Sequence, residues 1–257
     1  MVSYLKTKKI ISVPIVAIVT DYANHPFWHL PNIDALIVPD NHVKTDMVKT
    51  GIPHNIIYPL GIPLMEDFTY KTNKTEIRKI LRIEDKLTAL IMGGSLGIRS
   101  VYNSFKLLIN SERDIQIIVL TGENTKLKKK IELELLNYPV CKQKNVKVFG
   151  YTDNVSVLMD AADFIITKAG GLTISEALTK ELPIFLISPI PGQEERNAAF
   201  LIDSGAAVEI STEDNIDEIL NNTIFNPQKL SLMKHKARLL ARPYATHDTV
   251  RLLETLK

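Results

Sequence analysis

One stretch, Asp163 to Asn197, carries the residue types that a phosphate-bearing ligand requires of a protein. Its apolar run Phe164–Ile166 predicts a buried parallel strand, and Gly170 and Gly171 follow this strand directly before a helix-like segment. Glycines at such a turn let the backbone approach a ligand closely and direct free N–H groups at it. The stretch therefore predicts a phosphate site.

Three polar residues beyond this turn favour a sugar nucleotide as the ligand. Glu176 lies one helical turn in, where its carboxylate could accept hydrogen bonds from two neighbouring ribose hydroxyls. Gln193 and Asn197 are four residues apart and share one face of the next predicted helix. The alternatives stay open, because glycine pairs are common in α/β proteins, Glu176 suits any early helix turn, and both amides could face solvent.

Two more loops follow predicted strands. Gly93, Gly94 and Ser95 come between a strand and a helix, so they either form a second phosphate cradle or serve close packing. The other loop closes the strand Val146–Phe149, and its residues alone favour a plain strand-end turn.

Composition limits the protein class. The chain of 257 residues is 45% hydrophobic and 23% charged, as is ordinary for a globular protein. A single cysteine, Cys141, excludes an intrachain disulfide, and no metal-ligand spacing is present. We expect a cytoplasmic protein, since neither a signal sequence nor about 20 consecutive apolar residues occur. A net charge of +2 without a basic, aromatic-interleaved stripe argues against nucleic acid as a partner.

Apolar runs alternate with helical patterns, which predicts parallel sheets of the doubly wound α/β type. The first run, Val13–Thr20, predicts a central strand. Further strands are predicted at Ala35–Val38, Ile56–Leu60, Leu87–Met92, Ile115–Leu120, Val146–Phe149, Phe164–Ile166, Ile184–Ile187 and Ala207–Glu209. Predicted helices lie near His42–Thr50, Glu76–Leu81, Ile98–Ile109, Thr125–Leu136, Val155–Met159, Thr173–Lys180, Glu194–Ser204, Asp214–Asn221, Gln228–Ala241 and His247–Leu256.

Two segments carry a family resemblance. The segment VFGYTDNVSVLMDAADFIITKAGGLTISEALTKELPIFLISPIPGQEERNAAFLIDSGAAV resembles the donor-binding half of UDP-sugar glycosyltransferases that include the lipid II N-acetylglucosamine transferase. Within this group it is most similar to the monogalactosyldiacylglycerol synthases and the bacterial processive diacylglycerol glucosyltransferases. Upstream, VTDYANHPFWHLPNIDALIVPDNHVKTDMVKTGIPHNIIYPLGIPLMEDF resembles the end of the amino-terminal domain of that lipid-modifying branch.

This resemblance implies two Rossmann-like domains of the GT-B type. Residues 1–68 would belong to an acceptor domain and 69–245 to a UDP-sugar donor domain, with the terminal helix 246–257 packing back on the first. We expect the first domain to be incomplete, since no strand with a glycine-rich, histidine-containing loop precedes Val13; about a hundred residues, at roughly 30 per βα unit, would be missing. The strand Val13–Thr20 should then present an unpaired edge.

The resemblance also assigns roles to residues. It implies inverting transfer of a hexose from UDP-glucose or UDP-galactose to diacylglycerol, with no cofactor and no metal. The donor site would comprise Gly93, Gly94, Ser95, Phe149, Gly150, Tyr151, Thr152, Gly170, Gly171, Leu172, Thr173, Glu176, Gln193, Glu194 and Asn197. Trp28 would face the lipid side. The general base would come from the missing part, and Asp21 and His25 are the candidates that remain.

Other functions stay open. One is a non-catalytic UDP-sugar-binding subunit whose partner chain supplies the missing segment. A second is transfer of N-acetylglucosamine to another lipid-linked acceptor, against which the segment Thr20–Trp28 argues. A third is a fragment without function. Peripheral contact with the inner face of the cell membrane is a further expectation; the basic run Lys126–Lys130 would favour it, or would form a solvated helix face.

Overall fold

The computed structural model describes residues 2–93, 98–187 and 192–256, with the side chains of residues 98 and 144 excepted. Within these ranges the chain forms two parallel sheets, one of three strands and one of six, with helices between successive strands. The prediction of an α/β protein with two parallel sheets is confirmed. No described helix combines the length and the apolar character that a bilayer crossing requires.

The first sheet is small, with strand order β1-β2-β3. Its strand β2 is buried throughout, as expected for the middle of a parallel sheet. Asp40 follows β2, and its Oδ1 accepts a hydrogen bond of 3.0 Å from the N–H of Val43, which fixes the start of the next helix. The elements are α1 (Val2–Thr7), β1 (Val16–Ile18), β2 (Ala35–Ile37), α2 (Asn41–Lys49) and β3 (Ile57–Tyr58), with 3-10 turns at Pro26–Trp28, His54–Ile56 and Glu66–Phe68.

β1 forms one edge of this sheet. Among the described residues it pairs with β2 alone, in the register Val16 to Ala35, and its last residue, Ile18, is exposed. The expected open edge is therefore present. The strand itself, Val16–Ile18, is shorter than the predicted run from Val13 to Thr20. It lies at the edge of the sheet and not at its centre as predicted, because no described strand occupies its other side.

The second sheet has the strand order β6-β5-β4-β7-β8-β9 in the described part of the chain, and every pair is parallel. Its strands are β4 (Thr88–Met92), β5 (Gln116–Leu120), β6 (Val146–Phe149), β7 (Phe164–Thr167), β8 (Ile184–Ile187) and β9 (Ala207–Ile210). Its helices are α3 (Lys74–Ile80), α4 (Ile98–Ile109), α5 (Thr125–Leu135), α6 (Val140–Lys144), α7 (Val155–Ala161), α8 (Gly171–Thr179), α9 (Gln193–Ser204), α10 (Ile216–Asn222), α11 (Pro227–Leu240) and α12 (Ala245–Thr255).

This strand order locates the place where a ligand would bind. Counted along the chain from β4, it is 3-2-1-4-5-6, the doubly wound arrangement of dinucleotide-binding domains. The order reverses between β4 and β7, so a crevice opens where the loops leave the carboxyl ends of these two strands. The loops after β4 and β7 are the two that contain the predicted glycine turns.

The segment Thr69–Thr75, which connects the two sheets, is anchored to helices of the second sheet. Lys180 at the end of α8 is buried, and its ammonium pairs with Asp160 Oδ2 at 2.9 Å and donates to the carbonyl of Tyr70. The N–H of Thr72 bonds the same Asp160 oxygen at 3.2 Å. A buried ion pair satisfied by backbone groups thus holds the connection between the two sheets in place.

The last helix, α12, contacts residues next to the first sheet. Thr246 Oγ1 donates to the carbonyl of Leu64 at 2.6 Å. Gly61 has a φ of +100°, and a side chain there would overlap Arg242 and come within 3.0 Å of Ala245. The division at residues 68, 69, 245 and 246 remains a prediction.

Asp163, at the start of β7, holds three elements together. Its carboxylate accepts from Lys74 at 2.7 Å, from Arg78 at 2.7 Å and from the N–H of Thr88 at 2.8 Å. Burial acts to raise the pKa of Asp163, but the bonds from Lys74, Thr88 and Arg78 outweigh burial and leave the pKa below its ordinary value of 3.8.

We expect Asp163→Asn to lower the free energy of unfolding by about 1.5–3 kcal/mol at neutral pH, because it removes charge-assisted hydrogen bonds. Since the pKa is lowered in the folded state, this contribution is complete above pH 3.8 and is lost as the pH falls below that value. Urea unfolding at pH 7 and pH 3 measures the difference. Asp85→Asn is the matched control, since Asp85 binds the same Arg78 but is 64% exposed. Equal losses for both variants would contradict this role.

Candidate functional site

The amino terminus of α8 lies at the predicted crevice. Gly170 is the capping residue, and no described side chain bonds the first amides of the helix. Among the described residues, none accepts from the N–H groups of Gly171, Leu172 and Thr173, and free amides of this kind bind anions at helix termini. Gly93, at the end of neighbouring β4, is buried, whereas Gly94 and Ser95 lie outside the described residues.

The two glycines at this turn have different surroundings. An added Cβ at Gly170 would have no atom of the described residues within 4 Å. At Gly171 a Cβ would lie 1.8 Å from the carbonyl oxygen of Thr20, which follows β1. Gly171 therefore lets the loop after β1 pass directly against the start of α8, a packing role that the sequence did not indicate.

Glu176 has the surroundings of a ligand-binding carboxylate. It is half-buried on α8, one turn and a half from Gly171, and nothing in the described ranges forms a hydrogen bond or ion pair with its carboxylate. Burial, and then the negative charge of Asp67, raises the pKa of Glu176 to about 7. Unpaired, desolvated carboxyl groups in clefts are frequent at functional sites, because their cost to folding is otherwise unexplained.

Gln193 and Asn197 share one face of α9, as predicted, and both bind Asp21. Gln193 Nε2 donates to Asp21 Oδ2 at 2.9 Å, and Asn197 Nδ2 donates to Asp21 Oδ1 at 3.2 Å. Asn197 also donates to the carbonyl of Ala169 at 3.0 Å and accepts from the N–H of Tyr22 at 2.8 Å. It is only 1% exposed, and its bonds join the loop after β1 to the loop after β7. Contact of Asn197 with a hexose stays a prediction.

Tyr22 extends the same joint into the core of the second sheet. Its ring is buried in that core and stacks on Phe200 of α9 with 5.3 Å between ring centroids. Its hydroxyl lies 2.9 Å from Ser175 Oγ on α8, and burial raises the pKa of Tyr22 to about 12. We call Thr20, Asp21 and Tyr22 the docking loop.

Lys168 is a site residue that the sequence analysis did not single out. It directly follows β7 and is 8% exposed, and its ammonium pairs with Glu194 Oε2 on α9 at 3.2 Å. This ion pair connects the residue that follows β7 to the first turn of α9. A lysine one residue beyond an apolar strand was the available signal.

The loop Phe149–Thr152, which follows the edge strand β6, is partly exposed. Phe149 and Gly150 are half-buried, and the carbonyl of Phe149 accepts from both the N–H and the hydroxyl of Thr121, at 3.0 and 3.1 Å. Tyr151 is 68% exposed, and Thr152 Oγ1 accepts from the N–H of Asn154 at 3.1 Å. A part in binding uracil stays a prediction for this loop.

His25 and Trp28 lie in the turn after the docking loop. His25 Nδ1 accepts from the N–H of Phe27 at 3.2 Å, and its ring contacts Phe27 with 4.4 Å between centroids, so it caps this turn. Trp28 is half-buried against the core of the first sheet, while Phe27 is 81% exposed. Both oxygens of Asp21 accept from amides. The assignment of Asp21 or His25 as the general base stays a prediction.

Comparison with solved structures defines the fold class. MurG from Acinetobacter baumannii superposes on 97% of this chain and 69% of its own with a TM-score of 0.67, at 22% identity. The protein Alr3699/HepE from Anabaena, solved with UDP and glucose, superposes on 94% of this chain and 72% of its own with a TM-score of 0.61, at 14% identity. The two facing parallel-sheet domains are those of the GT-B fold.

Sequence comparison identifies the family. The model of the glycosyltransferase family 28 C-terminal domain matches residues 88–248, and the chain belongs to this family. Residues 1–64 match the model of monogalactosyldiacylglycerol (MGDG) synthase. A processive diacylglycerol beta-glucosyltransferase from Bacillus cereus (strain ATCC 10987 / NRS 248) is 32% identical over 240 residues, which are 93% of this chain. The chain spans 61% of the length of that relative.

We expect Gly171→Ala to destabilise the protein by about 1–3 kcal/mol, because the new methyl group overlaps the carbonyl of Thr20 and forces the docking loop away from α8. Thermal unfolding without ligand measures the loss. Gly170→Ala is the matched control: the neighbouring position has room for a methyl group and a negative φ of −78°. If both variants unfold at the same temperature as the parent chain, the contact between the loop and α8 is not tight.

Proposed function

We propose that this chain binds a UDP-hexose at the amino terminus of α8 and serves the transfer of the hexose to diacylglycerol. The observation that carries the proposal is Glu176, a half-buried carboxylate just behind the amides of residues 171–173. In the described ranges of the chain neither this carboxylate nor these amides have a partner. Ionic and hydroxyl groups of a nucleoside diphosphate are the natural complement to this pair of features.

The nucleotide lies along the carboxyl ends of the strands in this proposal. The amides of Gly171, Leu172 and Thr173 bind the diphosphate, and Glu176 accepts from the ribose hydroxyls. Uracil contacts the loop Phe149–Thr152, which follows β6, three strands from β7 in the sheet. Strands lie about 4.8 Å apart, so the loop is roughly 14 Å away, within the length of an extended nucleoside diphosphate. The hexose then lies at the start of α9, near Gln193 and Glu194.

Departure of UDP requires stabilisation of the negative charge that develops on the diphosphate. The amide dipoles at the start of α8 are already oriented for this task. No metal is needed for this step. Removal of the acceptor's proton needs a general base within hydrogen-bond reach, which we do not assign to any described residue.

Diacylglycerol is proposed as the acceptor for two reasons. The relatives that the chain matches over most of its length are named processive diacylglycerol beta-glucosyltransferases. In addition, the exposed Phe27 beside the half-buried Trp28 provides an apolar surface for a lipid on the side of the docking loop. Glucose and galactose both fit the polar groups at α9, and transfer with inversion is part of the proposal.

The open edge of β1 favours a second candidate function. A parallel strand edge with unpaired N–H and C=O groups is a template for another polypeptide segment. In this alternative the chain is a UDP-sugar-binding subunit, and a partner chain pairs with β1 and supplies the general base. Turnover by the purified chain alone would exclude the need for such a partner.

We expect Glu176→Ala to weaken UDP binding by about 1.5–3 kcal/mol, the value of a hydrogen bond to a charged group, or roughly ten- to a hundredfold. Calorimetry with UDP measures the loss. The matched control is on the ligand: 2′-deoxy-UDP removes one of the hydroxyls. The parent chain should prefer UDP to 2′-deoxy-UDP, and Glu176→Ala should bind both nearly alike. An unchanged preference in the variant would remove Glu176 from the ribose site.

The raised pKa of Glu176 predicts a pH dependence. Ribose hydroxyls donate to the ionised carboxylate, so UDP binding favours the charged form, and affinity should fall as the pH decreases through about 7. Because the phosphates of UDP titrate as well, the parent chain is compared with Glu176→Gln at each pH. The affinity of the parent chain for UDP, divided by that of Glu176→Gln, should rise as the pH increases from 5.5 to 8. A ratio that does not change with pH would contradict the assignment.

A further inference from the structure

We propose that Asp21 is a specificity-determining residue for the sugar: it holds the Gln193 side chain so that the amide oxygen, and not the amide nitrogen, faces the hexose. This inference rests on the proposed function and deepens it. It assigns part of the sugar pocket of the donor domain to a residue that follows β1 of the other sheet.

Two backbone groups fix the orientation of the Asn197 side chain. The N–H of Tyr22 can only donate and the carbonyl of Ala169 can only accept. Asn197 Oδ1 must therefore face Tyr22, at 2.8 Å, and its Nδ2 must face Ala169, at 3.0 Å. Since Asn197 is buried, the orientation of its amide has no alternative that satisfies both groups.

The fixed amide of Asn197 in turn orients the carboxylate of Asp21. The remaining hydrogen of Asn197 Nδ2 is donated to Asp21 Oδ1 at 3.2 Å, which leaves Oδ2 directed at Gln193. The position of Asp21 along the chain is fixed too, because its neighbours Thr20 and Tyr22 are held by Gly171 and Asn197.

The carboxylate of Asp21 orients the side-chain amide of Gln193. A carboxylate accepts hydrogen bonds and donates none, so Gln193 must present its nitrogen to Asp21, as the 2.9 Å bond shows. The amide oxygen of Gln193 then points away from Asp21. Because Gln193 is the first residue of α9 and is exposed, this oxygen is available to a ligand in the crevice.

A fixed acceptor distinguishes sugars because glucose and galactose differ in the direction of a single hydroxyl. The hydroxyl that reaches Gln193 donates to its oxygen, whereas the epimer leaves this oxygen without a partner. An unmade hydrogen bond of this kind costs affinity for the wrong sugar. A freely rotating amide would offer a donor or an acceptor with equal ease and would discriminate less.

Asp21→Asn tests the inference, because it replaces the oxygen that accepts from Gln193 by a nitrogen that donates. The new side chain must keep its oxygen toward Asn197 and turn its nitrogen toward Gln193, so the Gln193 amide has to rotate and present a nitrogen to the hexose. Calorimetry with UDP, UDP-glucose and UDP-galactose measures three affinities. In Asp21→Asn we expect the ratio of the affinity for the preferred UDP-hexose to the affinity for UDP to fall roughly two- to tenfold. The ratio of the affinities for UDP-glucose and UDP-galactose should change as well.

A second variant restores the arrangement. In Asp21→Asn/Gln193→Glu the charged and neutral side chains exchange positions. The carboxylate at position 193 then accepts from the side-chain amide at position 21 and, as in the parent chain, presents an oxygen to the sugar. This double variant should recover the preference between UDP-glucose and UDP-galactose. A purely structural role of Asp21 would predict no such recovery. Thermal unfolding of each variant checks that the chain is folded.

The outcomes separate the two proposals. If the parent chain binds no UDP, the proposed function is wrong, and this inference is wrong with it. If the parent binds UDP-hexose and Asp21→Asn lowers the affinities for UDP, UDP-glucose and UDP-galactose by one common factor, the inference alone is overturned. An unchanged sugar preference in Asp21→Asn overturns it as well.

Discussion

The docking loop, Thr20–Tyr22, joins the two sheets by packing directly against α8 and α9. The absence of a side chain at Gly171 makes this contact possible, since any Cβ there would meet the carbonyl of Thr20 at 1.8 Å. Tyr22 then fills the core of the second sheet, and Asn197 bonds the backbone on both sides of the contact. The loop after β1 is thereby placed directly beside the helix terminus that we propose for the diphosphate.

Much of the architecture could be predicted from the sequence, because buried parallel strands are uninterrupted apolar runs. The strands Val146–Phe149 and Ile184–Ile187 and the helix Ile98–Ile109 have the predicted bounds. Sites that depend on local spacing were also accessible: a carboxylate one turn into a helix, and two amides four residues apart, follow from the helical repeat. The short helices α1 and α6, with six and five residues, were missed because they are too short to establish a periodic pattern.

What could not be predicted depends on contacts between distant parts of the chain. Asn197 bonds Tyr22 across 175 residues, and no local pattern records that its amide is used for this purpose. The sequence likewise does not distinguish Gly170 from Gly171, although the first borders the crevice and the second packs against Thr20. The raised pKa of Glu176 needs both burial on α8 and the charge of Asp67, which reaches it from the connection between the sheets.

A crystal structure of the chain with UDP would show whether a nucleoside diphosphate binds where α8 begins. The account predicts the diphosphate on the amides of residues 171–173 and the ribose hydroxyls on the carboxylate of Glu176, with the docking loop in place. A nucleotide bound at another part of the protein, or a diphosphate without contact to α8, would contradict the account.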